Sequence, residues 1–244
     1  MSRIVIVTQA RTTSTRLPRK VLQRIQGRTL LEWHVERLKK CAPAAEVVVA
    51  TTVNATDNEI IPIAEKVNVR WFRGSEDDVL SRYWGAAREA RAEIVVRVTS
   101  DCPLWDPIEG AKVMDFLARN PQFDLVNNCE SRTYPRGLDT EAFWMDVLER
   151  MQRMAPPAPT PEREHVTEMA YSSAPDLFVK QSISDSEDNS RFRWCVDTYD
   201  DFAMIEALVN CVGNPLAGYR ELLACTKAHP EIARLNAHVE QKKV

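Results

Sequence analysis

The segment Gln9-Ala10-Arg11-Thr12-Thr13-Ser14-Thr15-Arg16-Leu17-Pro18-Arg19-Lys20 gathers four cations and four hydroxyls into one short stretch. These groups bind phosphate: a guanidinium makes paired planar contacts, an ammonium acts as a point charge, and hydroxyls and backbone N–H groups donate hydrogen bonds. Far away in the sequence, Asp101 lies in Arg97-Val98-Thr99-Ser100-Asp101-Cys102-Pro103, and Asp197 follows Arg193-Trp194-Cys195-Val196. A carboxylate fixed beside phosphate suits Mg²⁺, which takes one or two such ligands and completes its shell with phosphate oxygens and water. By composition alone the cationic segment would be a solvated basic loop. Its place in the chain decides otherwise.

Ile4 to Thr8 is a continuous β-branched apolar run, the pattern of a strand covered on both faces in a parallel sheet, so the cationic segment is the loop at that strand's carboxyl end. Leu30, Leu31, Val35 and Leu38 then recur at helical spacing until Ala42-Pro43 ends the helix. The alternation continues with a strand at Val47 to Ala50, a helix at Asp57 to Lys66, a strand at Val69 to Phe72, a helix at Val79 to Ala90 and a strand at Ile94 to Val98. This predicts an α/β fold with a mostly parallel, Rossmann-like sheet flanked by helices, whose ligand site is built from the loops at 9–20 and 99–106. Asp101 then sits at the sheet's carboxyl edge, while Asp106, just before Pro107, reads as a helix N-cap.

The second half is less regular, and a smaller β/arm insertion is expected there. It shows a strand near Asp124 to Asn127, an extended stretch from Tyr134 to Phe143 and a helix near Met145 to Met154. Pro156, Pro157, Pro159 and Pro161 then forbid regular helix and read as an arm leading into a helix over 162–173. Strands at Phe178 to Ser182 and Phe192 to Val196, and helices near 198–210, 218–227 and 230–240, close the chain. Asp200 and Asp201 fit the acidic start of the first of these helices, whereas Asp197 comes earlier, at a strand end. Arg136, Asp139 and Glu141 flank a glycine turn where an acceptor could enter. His165, with Arg163 and Glu164, reads either as an acceptor contact or as helix-start packing. Arg82 and Arg97 are candidate anion contacts or partners of Asp77, Asp78 or Glu93. One domain of 244 residues is expected, with a nucleotide-binding half (1–130), an acceptor and arm region (131–185) and a closing segment (186–244).

The formal charge of −3, from 32 Lys and Arg against 35 Asp and Glu, argues against the broad positive field of a nucleic-acid binder. Any anion site must be local. The six cysteines are far apart, with no CxxC pair and no histidine read at zinc-ligand spacing, so they are expected as reduced thiols, Cys102 among them as a buried small hydrophobe. No signal peptide and no apolar run of about 20 residues is found, which predicts a cytoplasmic protein without membrane contact. Most of the tryptophans Trp33, Trp71, Trp84, Trp105, Trp144 and Trp194 are expected in the core, and the Gln241 to Val244 tail is expected to fray. Neither a G-x-G-x-x-G nor a G-x-x-x-x-G-K-[ST] motif occurs, and the cationic loop contains no glycine.

The pattern A-R-x-x-S-T-R-L-P-x-K in that loop resembles the signature of the CTP-dependent cytidylyltransferases. These include the CMP-sugar-acid synthetases for 3-deoxy-manno-octulosonate and acylneuraminates, and the spore coat polysaccharide branch. The resemblance extends through Arg73-Gly74-Ser75-Glu76-Asp77-Asp78-Val79-Leu80, the Asp101 segment, Tyr134-Pro135-Arg136-Gly137-Leu138-Asp139, Arg163-Glu164-His165-Val166-Thr167 and Arg193 to Thr198. It is nearest to the spore coat branch. It implies a GT-A-like fold, CTP over the carboxyl edge of the sheet, pyrophosphate as leaving group and Mg²⁺ as cofactor.

Carried over to this chain, Arg11, Ser14, Arg16 and Lys20 contact the triphosphate, Ala10 lies against the nucleobase, and Asp101 and Asp197 are the metal ligands. Lys20, Arg11 and Arg16 stabilise the leaving group, and Asp139 belongs to the acceptor side. Thr13, Arg19 and Ser100 stand where the family often has glycine. The implied reaction is transfer of CMP to a sugar acid or related small anionic acceptor in surface-glycan precursor synthesis, and a homodimer is compatible with the arm. Two alternatives share these features: a GT-A glycosyltransferase consuming a nucleotide sugar, and a CTP-binding protein that no longer turns over. The cation-rich loop favours a triphosphate, since a nucleotide sugar has no γ-phosphate to hold.

Overall fold

The computed structural model describes residues 2–44 and 46–241. In chain order its elements are β1 (Ile4–Gln9), β2 (Arg24–Ile25), β3 (Arg28–Thr29), α1 (Leu30–Leu38), β4 (Glu46–Thr52), α2 (Ile60–Lys66), β5 (Arg70–Gly74), α3 (Val79–Glu89), β6 (Ile94–Thr99), α4 (Pro107–Arg119), β7 (Leu125–Asn127), β8 (Glu141–Trp144), α5 (Met145–Met154), α6 (Pro161–Glu164), β9 (Lys180–Ser182), α7 (Tyr199–Val212), α8 (Tyr219–Ala228) and α9 (Pro230–Arg234). Seven strands form one sheet in the order β5-β4-β1-β6-β8-β7-β9, and β2 and β3 make a separate small hairpin. Within the sheet β8 runs antiparallel to both its neighbours, β6 and β7, and the other pairings are parallel.

The sequence of β1 explains its central position. Ile4 and Ile6 point into a cluster with Leu31, Val35 and Leu38 of α1 and Val113, Met114 and Leu117 of α4. Val5 and Val7 point the other way, against Leu80, Tyr83 and Ala86 of α3 and Val147, Leu148 and Met151 of α5. Each fully buried side chain of this size contributes about 1.5–3 kcal/mol by leaving water. A third cluster, with Leu17, Trp33, Leu104, Trp194 and Val196, packs under α7 and α8. The chain leaves β1 for β4 and β5 on one side and then crosses to β6 on the other, which makes the β1/β6 boundary the topological switch point where open α/β sheets bind ligands.

The helix starts follow local chemistry. Thr29 and Glu32 form a capping box at α1, and Thr198 and Asp201 form another at α7. Asp106 caps α4 by accepting from the N–H groups of Ile108 (2.8 Å) and Glu109 (2.9 Å).

Several elements differ from the sequence expectation. The helix expected from Asp57 begins as a 3-10 turn over Ala55–Glu59, and the α-helix starts only at Ile60. The helix expected over 162–173 breaks after α6, because Val166 takes a left-handed φ of 50° and the chain restarts as a π-turn at Met169–Ser173. The stretch Phe192 to Val196 is extended but pairs with loop backbone rather than a strand: Trp194 N–H donates to Arg136 O (2.7 Å) and Val196 N–H to Asp101 O (2.8 Å). Gly137 makes that approach possible, since its φ is 107° and a Cβ there would lie 2.6 Å from the Trp194 carbonyl. The last helix is shorter than expected and ends at Arg234.

Trp33, Trp105 and Trp194 are buried as expected, but Trp71 stands 39% exposed on edge strand β5. The cysteines are free, as expected, but Cys211, Cys225 and His229 meet in space although no histidine is read at zinc-ligand spacing. In the tail, Gln241 is docked rather than frayed, its Oε1 accepting from Arg193 Nη1 at 2.6 Å, while Lys242 to Val244 lie outside the described residues. No described helix is long and apolar enough to cross a membrane.

Candidate active site

A cleft of about 440 Å³ opens at the switch point, lined by Ala10, Arg11, Ser14, Arg16, Lys20, Arg82, Arg97, Ser100, Asp101, Asp139, His165 and Asp197 among others. Two acids hold the loop after β1, Asp57 through backbone and side chain and Glu76 through side chains. Asp57, fully buried, accepts from Thr12 N (2.7 Å), Thr12 Oγ1 (2.6 Å) and Thr52 Oγ1 (2.5 Å). Glu76 accepts from the Thr13 hydroxyl, the Asn54 amide and Arg11 Nη1, the last at 3.3 Å. Thr13 therefore uses its hydroxyl as a tether where the family often has glycine. Arg19 adopts the left-handed conformation itself (φ 56°, ψ 27°), its N–H donating to Thr12 O at 2.9 Å and its guanidinium clasping Glu59 with two 2.7 Å bonds.

Lys20 is the hub. Its Nζ donates to Asp197 Oδ1 (2.9 Å), Val196 O (2.9 Å) and Asp101 Oδ2 (3.2 Å), and Arg16 Nη2 reaches Asp197 Oδ2 at 2.9 Å. Burial opposes ionisation of the Asp101 carboxyl, but the Lys20 ammonium and the hydrogen bonds from Thr99, Lys20 and Cys102 outweigh it and hold the group down at about 2. Burial likewise opposes the charge on Lys20, and Asp101 and Asp197 overcome it, raising the ammonium above its ordinary range. At neutral pH Asp101 is thus a carboxylate and Lys20 an ammonium.

Behind this triad lies a buried support. Arg193 donates to Asp197 Oδ2 (2.8 Å) and to Asp201 (2.8 Å from Nε), and Asp201 also accepts the N–H groups of Asp197 (2.9 Å) and Thr198 (3.1 Å). Asn236 completes it with bonds to Asp201 Oδ1 (2.9 Å) and Arg193 O (3.0 Å). On the other side His34, fully buried, links Thr8 Oγ1 (2.9 Å from Nε2) to the Cys102 carbonyl (2.8 Å from Nδ1), directly after Asp101. The carbonyl can only accept, so Nδ1 carries the proton and Nε2 accepts from Thr8. Burial drives the His34 pKa down to about 4, against the opposing pull of the Cys102 carbonyl and Asp101, and keeps the ring neutral.

The other expected site residues divide. Ala10 is buried at the cleft wall. Arg82 pairs with none of Asp77, Asp78 or Glu93: its Nη1 donates to Ser75 O (2.9 Å), Asp78 instead meets Arg163 (3.3 Å), and among the described residues Arg82 Nε has no partner. Burial lowers the Arg82 pKa, so it is a cation in need of an anion. Arg97 pairs with the buried Glu141, which also accepts from Thr167 Oγ1 at 2.9 Å; Glu141 is therefore a prop beneath Arg97 rather than a cleft-lining group. Asp139 lines the cleft and is clasped by Arg132 through bonds of 2.5 and 2.7 Å. His165 lines it as well, with Glu164 3.9 Å away. Arg136 is not brought in; it faces a neighbouring cavity of about 430 Å³ with Arg193 and Trp194.

Glu76, Asp57, His34 and Asp201 are the residues that sequence reasoning missed as supports of the site. For Glu76 and Arg193 the signal was their place in the quoted blocks. The donor set fits Mg²⁺: Asp101 and Asp197 aim one oxygen each at a common cation, presently the Lys20 ammonium, and two carboxylates at one point are a set this ion uses.

The sequence and the fold have known counterparts. Residues 4–243 match the family model described as cytidylyltransferase. The spore coat polysaccharide biosynthesis protein SpsF of Bacillus subtilis is 27% identical over 241 residues, covering 96% of this chain and 98% of its own length. A solved cytidylyltransferase from Leptospira borgpetersenii superposes with a TM-score of 0.91 at 30% identity, covering 100% of both chains. The structure of CMP:2-keto-3-deoxy-manno-octonic acid synthetase complexed with CTP shares the fold, with a TM-score of 0.66 at 19% identity over 86% of this chain and 99% of that one.

Proposed function

The chain belongs to the cytidylyltransferase family, and on that footing we propose that it transfers CMP from CTP to a sugar acid or related anionic acceptor, releasing pyrophosphate, in the synthesis of a surface-glycan precursor. The observation that carries this reading is the convergence of Arg11, Arg16, Lys20 and Arg82 on one cleft with Asp101 and Asp197. A triphosphate needs both sets: cations along its β- and γ-phosphates and carboxylates for the ion that accompanies it.

The reaction breaks the bond between the α-phosphorus and the bridging oxygen to the β-phosphate, and an acceptor oxygen takes its place. Negative charge grows on the departing pyrophosphate, so catalysis requires alignment and positive charge where that anion forms. Arg11 and Arg16 lie on the exposed side of the loop, where they can grip the outer phosphates. Lys20 is held by three acceptors at the loop's end and presents a fixed charge to the leaving group. Asp101 and Asp197 would hold Mg²⁺, which when bound supplies further positive charge to the phosphate oxygens. Arg82, with no carboxylate partner among the described residues, is placed to receive an anion. Asp139 and His165 stand on the wall where the acceptor enters, and Asp139 is oriented by the Arg132 guanidinium.

The polysaccharide role rests on the likeness to SpsF, and the acidic acceptor on the cationic cleft together with the resemblance to the CMP-sugar-acid synthetases. The test is pyrophosphate release from each of the four NTPs with Mg²⁺ and a panel of sugar acids. Release confined to CTP, dependent on one acceptor class and lost in Asp101→Ala, supports the reading. Saturable CTP binding with no release under any acceptor overturns it in favour of a binding protein.

A further inference from the structure

Two thiols and an imidazole that play no part in the cleft come together at the far end of α7. Cys211 is in the last turn of α7, Cys225 is in the last turn of α8, and His229 is the residue that follows α8 and caps α9. Their ligand atoms all lie within 4.8 Å of one another, and they are the one such group of three or more among the described residues. In a tetrahedral zinc centre with Zn–S bonds of about 2.3 Å the sulfurs stand about 3.8 Å apart, so small rotations suffice to close the set.

The surroundings fit as well. His229 Nδ1 lies 3.1 Å from Glu231 Oε1, and a carboxylate that accepts from one ring nitrogen leaves the lone pair on the other, as in carboxylate–histidine–zinc arrangements. Cys211 and His229 are exposed and Cys225 is half-buried, so an ion has a path in. Sulfur and imidazole donors select zinc over magnesium, which keeps this site chemically distinct from the carboxylates of the cleft.

We propose that Cys211, Cys225 and His229 form a zinc site, with water in the fourth position, that staples α7 to α8. Ile205, Leu208 and Val209 of α7 already pack with Leu222 and Leu223 of α8. The ion fixes the distal end of a helix whose first turn carries Asp201, and Asp201 holds Arg193 and through it Asp197. It thereby steadies the support of the active site from outside the cleft.

The experiment uses the full chain, reduced and stripped of metal with a chelator, titrated with Zn²⁺ by calorimetry and with Co²⁺ by absorption spectroscopy. The expected result is one ion per chain and a tetrahedral Co²⁺ spectrum with thiolate charge-transfer bands. The melting temperature should rise by about 5 °C or more at a hundredfold excess over the dissociation constant. Cys211→Ser with Cys225→Ser abolishes the bands and the thermal shift, and Glu231→Gln weakens binding by about tenfold or more. Absence of stoichiometric binding by the reduced wild-type chain, including the case in which the two cysteines merely form a disulfide in air, overturns the proposal. So does Zn²⁺ binding that persists unchanged in the double variant.

Discussion

Lys20 Nζ lies 2.9 Å from Asp197 Oδ1, joining positions 177 residues apart at the point where the loop after β1 meets the strand-like segment before α7. Because the same ammonium also touches Asp101, the cationic loop, the edge of β6 and the start of α7 are tied through one charge. A ligand that draws Lys20 away would release Asp101 Oδ2 and Asp197 Oδ1 together, while Asp197 Oδ2 stays on Arg16 and Arg193.

Replacing Lys20 by methionine, which keeps the stem and removes the charge, should lower kcat/KM for CTP by about 100- to 1,000-fold, the range seen when one donor to a developing anion is removed. Lys20→Arg should not restore it, since three acceptors surround a compact ammonium that a planar guanidinium cannot replace. Steady-state kinetics of pyrophosphate release checks both.

The Arg193–Asp201 pair is buried, with Asp201 fully inaccessible, so removing one partner leaves a charge stranded. Asp201→Ala should destabilise the fold by about 3–5 kcal/mol. Asn236→Ala, which removes a neutral donor to the same group, should cost about 1 kcal/mol. Denaturant unfolding at neutral pH measures the two.

His34 makes stability fall on mild acidification. Its folded-state pKa of about 4 lies below the ordinary histidine value of about 6.5, so the unfolded chain binds the proton more readily. The contribution is complete above about pH 6.5, is lost as pH falls from there toward 4, and amounts to roughly 3 kcal/mol over that window. His34→Gln should flatten this part of the pH–stability curve even though the variant is weaker at pH 7.5.

Arg19 occupies a left-handed position that costs a side chain free energy and costs glycine none. Arg19→Gly should leave the melting temperature unchanged or higher despite losing the exposed contact with Glu59. Arg19→Val, β-branched at the same φ, should lower it by about 2–4 °C.

How much of this could be read in advance depended on how local the cause was. The buried strand at Ile4, the Asp106 cap and the Met145 to Met154 helix follow from periodicity and capping within a few residues, and they stand where expected. Lys20 and Asp101 could be named because each closes or lies in a loop after a β-branched strand, and Asp197 because its block resembles the family's second metal-ligand position. Glu141 misled because a carboxylate beside a glycine turn gives no sign that Arg97, 44 positions earlier, will bury it. The helix over 162–173 failed for a similar reason: Thr167 finds a partner in Glu141, and Val166 bends left-handed. Asp57 and Asp201 looked like ordinary helix-start acids, and that position conceals their second task of holding the phosphate loop and Arg193. Cys225 and His229 stand four apart in sequence, but Cys211 joins them only through the packing of α7 on α8.

The central claim is that the bond broken lies between the α- and β-phosphates of CTP and that the CMP unit passes to an acceptor oxygen. Phosphorus NMR of a reaction containing CTP, Mg²⁺ and an acidic sugar acceptor tests this most directly. One new phosphodiester resonance should rise in step with pyrophosphate, with neither signal in Asp101→Ala. Appearance of CDP and inorganic phosphate, or of free CMP with pyrophosphate and no diester whatever the acceptor, would contradict it.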